Sequence, residues 1–112
     1  AYWEKHSIIK SHEMALEAYE KAKMHLQSDG MAYSSALNNL GFYSHRRKDY
    51  DKAIKVYQEA LEIDSKSDNY EEIVIILNNL GNLYLKKGDW SESIRYFKKS
   101  LILSQNRDTK HF

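Results

Sequence analysis

The chain has no cysteine and no proline in 112 residues, and only four glycines. Without cysteine there is no disulfide framework and no thiolate metal site. Without proline, no residue locks φ or removes a backbone donor inside a helix, and the residues that remain are mostly good helix formers. Four isolated glycines make no phosphate-cradling loop. Charge of one sign is lacking too: 17 Lys and Arg stand against 16 Asp and Glu, for a formal net charge of +1. That balance argues against a dedicated nucleic-acid binder, which carries a basic excess. The longest apolar run, Ile73-Val74-Ile75-Ile76-Leu77, is far short of the ~20 residues that span a bilayer. No membrane partner is expected, and the lack of cysteine fits a cytoplasmic location, with a disulfide-free exported protein as the alternative. The opening residues carry no signal pattern, since Glu4, Lys5 and His6 interrupt them. The chain, which starts at Ala1, is expected to be a piece of a longer protein or a processed one.

What is present is repetition. Residues 37–64 read LNNLGFYSHRRKDYDKAIKVYQEALEID, and residues 77–104 read LNNLGNLYLKKGDWSESIRYFKKSLILS. Aligned without gaps, eight of 28 positions are identical, among them Leu40/Leu80, Gly41/Gly81, Asp49/Asp89 and Leu61/Leu101. The offset is 40 residues throughout. A fixed period of this size marks an architecture of stacked helical units.

Within each copy the apolar spacing is helical. Leu37, Leu40, Gly41 and Ser44 share one face by the i, i+3, i+4, i+7 rule. A glycine inside a helix costs about 1 kcal/mol relative to alanine, so Gly41 and Gly81 predict the close approach of a neighbouring helix. Asp49 and Asp89 are placed to cap the next helices, and Glu92 completes a capping-box pattern with Asp89. Those helices show Ala53, Ile54, Tyr57, Ala60 and Leu61 on one face, and Ser93, Ile94, Phe97, Ser100 and Leu101 on its counterpart. Ala15, Tyr19 and Ala22 repeat the same spacing upstream. Ser65–Tyr70 reads as a turn, as does Ser28-Asp29-Gly30, with Gly30 ending a helix. The expected helices span 1–8, 12–28, 32–46, 50–64, 69–87 and 90–105. One unbroken helix over 1–28 is the alternative, because no glycine or proline separates the first two.

These residues resemble the tetratricopeptide repeat. The pattern Leu, Leu-Gly, Tyr, then small, aromatic, small becomes Leu37, Leu40-Gly41, Ala53, Tyr57 and Ala60 in one copy. In the other it becomes Leu77, Leu80-Gly81, Tyr84, Ser93, Phe97 and Ser100. Ser44 departs from it where a tyrosine is usual, serines replace two alanines in the last copy, and the closing proline is absent. The period of 40 exceeds the usual ~34. That longer form is similar to the repeats of kinesin light chains, cell-polarity adaptors and bacterial peptide-pheromone receptors. The resemblance implies an all-α right-handed superhelix of antiparallel helix pairs. A single domain would hold a partial repeat over 1–30 and full repeats over 31–70 and 71–112. It also implies a scaffold that binds a protein or extended peptide in a concave groove, with no catalysis and no cofactor.

Carried over position by position, the groove side holds Asn38, Asn39, Phe42, His45 and Arg46 in one repeat. In the next it holds Asn78, Asn79, Asn82 and Lys86. Asparagine is a mediocre helix former, and its carboxamide both donates and accepts, as bonding to a peptide backbone requires. In the resembling families such asparagines form ladders along a peptide; otherwise they bond neighbouring helices or solvent. Asn38 and Phe42 stand where a carboxylate-binding groove has lysine and asparagine, which argues against that kind of clamp. Arg46-Arg47-Lys48 and Lys86-Lys87 read as solvated rims, with attraction of an acidic peptide or a phosphate as the alternative. The five histidines are scattered and read as surface residues, and Glu59, Glu62, Glu71 and Glu72 as solvated helix faces. Tyr50 and Trp90 are expected to pack at the starts of their helices. Two rival readings are a regulator that senses a peptide through these repeats, in a bacterium, and a scaffold that self-assembles through uncapped ends exposing Ile94, Leu101 and Leu103.

Overall fold

The computed structural model describes residues 2–24, 30–66 and 69–110. All regular structure among them is α-helical: α1 Tyr2–Met24, α2 Gly30–Arg46, α3 Tyr50–Asp64, α4 Tyr70–Lys87 and α5 Trp90–Lys110. The chain forms two compact units, Ala1–Ala60 and Leu61–Phe112, divided within α3. The expected bounds hold for α3 and nearly so for α2 and α4, and α5 runs past its expected end. The break expected near Ser11 does not occur, and α1 is one helix. Nothing there interrupts it, since Ser11 offers only a hydroxyl and neither proline nor glycine occurs in the segment. Gly30 opens α2 rather than closing a helix, while Ser28 and Asp29 lie outside the described residues.

In the first unit α1 packs against α2. Tyr33, Leu37, Leu40, Ala53, Tyr57 and Ala60 form the core. A Cβ placed on Gly41 would sit 2.8 Å from Tyr57 Cζ and 2.9 Å from both Cε atoms. The glycine therefore carries the ring of the facing helix directly on its backbone. Burial pushes the Tyr57 hydroxyl up to about 12. The Tyr19 and Tyr33 rings meet at 5.7 Å, and the buried Tyr33 hydroxyl donates to Glu59 Oε1. Glu59 is thus not a solvated carboxylate. It takes the hydroxyl of a core tyrosine, and burial with that bond holds Tyr33 well above the usual tyrosine range.

The second unit repeats the device. A Cβ on Gly81 would lie 2.7 Å from Phe97 Cε1, so α5 crosses α4 at the corresponding glycine. Ser93 explains its own departure from alanine, because its hydroxyl donates to the Gly81 carbonyl at 2.8 Å inside the core. The Tyr84 and Tyr96 rings stack across the pair, with centroids 5.5 Å apart and planes 8° from parallel. Ile76, Leu77, Leu80 and Leu83 complete the interior. Trp90 corrects an expectation: it is 68% exposed rather than packed.

The turns α2–α3 and α4–α5 end their first helices identically. Asp49 N–H reaches the Ser44 carbonyl, and Asp89 N–H reaches the Tyr84 carbonyl, each at 2.9 Å. Lys48 and Gly88 stand between, at φ 66 and 82, closing a left-handed helix stop. Asp89 Oδ1 accepts from Glu92 N–H at 3.2 Å, the expected cap. The return half of the capping box is absent, because Asp89 N–H is already taken and the Glu92 carboxylate turns forward to Arg95 in a two-pronged pair.

Candidate functional site

The candidate site residues lie on the faces of α2 and α4 turned away from the buried row Leu37, Leu40, Gly41 and Ser44 and its counterpart. On α2, Asn39, Phe42 and Arg46 are exposed, at helical spacing along one stripe. Asn38 and His45 run beside them, half-buried. Phe42 is 48% exposed. The Arg46 guanidinium lies 5.7 Å from its ring centroid, and the Tyr43 ring meets its edge at 5.2 Å. The Phe42 ring is thereby held in place while still facing solvent. His45 packs edge-on to Tyr50 at 5.6 Å, which ties this face to the start of α3.

On α4 the corresponding stripe is Asn78, Asn79, Asn82 and Lys86. Asn78, Asn82 and Lys86 are exposed and Asn79 is half-buried. The asparagine pairs thus differ, since Asn39 is the outer member in α2 and Asn78 in α4. Two residues that sequence reasoning passed over belong to this stripe. Ile75 is 50% exposed one turn before Asn78 and Asn79, and Leu85 stands exposed where α2 has His45. Ile75 was hidden in an apolar run that reads as uniform core. Its helical phase relative to Leu77 and Leu80 was the signal that separates it.

Both stripes end in basic residues, Arg46 and Lys86, near helix C-termini, where a cation complements the macrodipole. The α2 stripe from Asn39 to Arg46 carries no acidic side chain, whereas the α4 stripe begins at Glu71 and Glu72, one turn before Ile75. The arrangement offers carboxamides, an aromatic or aliphatic surface and a basic end. It holds no nucleophile paired with a base. Among the described residues, no three of His, Cys, Asp and Glu gather closely enough to hold a metal ion, and no helix is long and apolar enough to cross a membrane.

The other singled-out groups fall elsewhere. Arg47, Lys48 and Lys87 are exposed at the turns. His12 is buried, contrary to the surface role expected for it, because Arg47 reaches back to its ring. His25 and His111 lie outside the described residues. On α5, Ile94 and Leu101 are exposed as expected, and Leu103 is half-buried.

Residues 33–105 match the tetratricopeptide repeat family. The match covers most of the chain, which belongs to that family. Domains of this family are in general protein-interaction modules.

Proposed function

Starting from a tetratricopeptide repeat domain, we propose that this chain binds an extended segment of a partner protein along the exposed stripes of α2 and α4. We place it in the long-period form of the family on the 40-residue offset between its two copies. One observation carries the reading: each first helix of a repeat presents asparagines on the face opposite its core, bordered by exposed Phe42 in one unit and by Ile75 and Leu85 in the other. Carboxamides at helical spacing meet the donors and acceptors of a peptide main chain without regard to its sequence. The apolar neighbours then select side chains. The basic ends, Arg46 and Lys86, favour a segment whose carboxylate lies toward the helix C-termini, away from Glu71 and Glu72 at the start of α4.

The test is a displayed peptide library selected on the whole chain. The best peptide is then titrated against wild type and an Asn39→Ala, Asn78→Ala, Asn82→Ala variant. Alanine raises helix propensity, so circular dichroism should show the variant folded. Three lost hydrogen bonds at about 1 kcal/mol each predict a loss of affinity on the order of 100-fold. Equal affinity for both proteins would sink the reading.

A second reading rests on α5. Trp90, Ile94 and Leu101, all exposed, follow the i, i+4, i+11 spacing of a helix-pairing seam, while Phe97 between them turns its ring onto Gly81. Ile94 is 52% exposed, whereas its counterpart Ile54 is 7% exposed. A seam of this kind suits self-association with a second copy through α5.

A further inference from the structure

Among the described histidines only His12 is buried, at 5% exposed. It lies in the middle of α1, and its Nδ1 sits 2.7 Å from Arg47 Nη1, in the turn after α2. A guanidinium donates and never accepts, so Nδ1 must be the acceptor. The ring proton therefore belongs on Nε2, which is buried with no hydrogen-bond partner among the described residues. The tautomer is fixed by the contact itself.

We propose that His12 and Arg47 form a protonation-sensitive latch, which fastens α1 to the rest of its unit when the imidazole is neutral and releases it on acidification. A second proton can enter only at Nδ1. It would displace the Arg47 bond and set an imidazolium directly against a guanidinium in a part-buried contact. The groups facing the ring are Glu13 from α1, Arg47 and Asp49 from the turn, and Lys52 from α3. Burial leads, followed by the Arg47 and Lys52 cations, and together they outweigh the Asp49 and Glu13 carboxylates and hold the imidazole below its usual value of 6.5. The folded chain therefore binds fewer protons at His12 than the unfolded chain does in the window below 6.5. Stability rises with pH through that window, levels off above it, and is lost as the solution is acidified.

The latch controls an apolar surface. Ala15 lies on the same side of α1 one turn on, and Tyr19 packs on the buried Tyr33 of α2. Lifting α1 uncovers that surface, so the unit would gain an acid-exposed face distinct from the asparagine stripe.

Hydrogen exchange of the whole chain at pH 7.5 and 5.5, corrected for intrinsic rates, tests this. One linked proton raises the opening constant by at most about tenfold per pH unit. In wild type the protection of α1 amides should fall severalfold or more, while α4 and α5 hold. His12→Gln keeps an acceptor for Arg47 but cannot titrate, so its α1 protection should not change between the two pH values. Protection of α1 that is independent of pH in wild type, or an equal loss in both proteins, overturns the latch. Nitrogen NMR of the wild-type imidazole tests the latch even if His12→Gln folds poorly. A neutral ring with its proton on Nε2 at pH 7.5, titrating below the usual range, supports the latch. A ring protonated at Nδ1 at that pH overturns it.

Discussion

At Gly41 and Gly81 a single added carbon is already too much. Both positions are helical, so alanine should gain about 1 kcal/mol from helix propensity. The facing ring reverses the sign, because an added Cβ meets Tyr57 or Phe97 at under 3 Å. Overpacking a buried contact costs about 1–3 kcal/mol, and Tyr57 has little room to move, being almost wholly buried. Gly41→Ala should therefore lose up to about 2 kcal/mol net, read as a lower urea midpoint with an unchanged slope. An unchanged or raised midpoint would show that the ring yields. This contact was legible in the sequence, since a glycine repeated at the same helical position asks for a close neighbour. The roles of His12 and Glu59 were not. Their partners Arg47 and Tyr33 lie 35 and 26 residues away, and local spacing carries no information about such pairs.

At the scale of the element, the ends of α2, α3 and α4 were readable, while the break expected at Ser11 and the stop expected at Gly30 were not there. Asp49 and Asp89 mark the starts of α3 and α5, and the apolar period sets the bounds of α3 correctly. What pattern could not supply was the backbone state at the stop. Gly88 adopts φ 82 without strain and has nothing near its missing Cβ, whereas the other copy asks Lys48 to hold φ 66. A left-handed conformation costs a side-chain-bearing residue about 1–2 kcal/mol, offset in part by the roughly 0.5–1 kcal/mol of extra freedom a glycine loses on folding. Lys48→Gly should therefore stabilise the chain by about 0.5–1 kcal/mol, seen as a raised thermal midpoint. The converse Gly88→Ala should lower it, with no clash to blame. If Lys48→Gly lowers the midpoint instead, the lysine side chain contributes something that its exposed position does not reveal. The continuity of α1 follows from the same logic of stops, because a helix ends where a residue ends it, and no such residue occurs in 2–24.

For the whole molecule, the two copies agree in sequence and differ in what covers them. Ile54 and Leu61 are buried or half-buried in the first, while Ile94 and Leu101 are 52% and 58% exposed in the second. The sequence made the seam visible as a repeat of a core face but also suggested the same burial for Trp90, because alignment assumes that equivalent residues have equivalent surroundings. A large indole left in water one turn before Ile94, with Leu101 two turns further on, sets exposed apolar side chains along one helix face, and faces of this kind mark association surfaces. Lys98 borders it, so two copies meeting along α5 bring like charges near each other, and raised salt should tighten rather than weaken the pairing. Sedimentation velocity over a concentration series should show wild type shifting from monomer to dimer, with the midpoint at lower concentration in high salt. Ile94→Glu with Leu101→Glu places carboxylates in the seam at positions where neither side chain is buried in the monomer, so the fold should survive. Its dimer dissociation constant should rise at least about tenfold, the penalty of about 1.4 kcal/mol that one poorly paired charge easily exceeds. A wild type that stays monomeric at every concentration, or a dimer indifferent to both glutamates, would rule out α5 as an interface and leave the asparagine faces as the chain's binding surface.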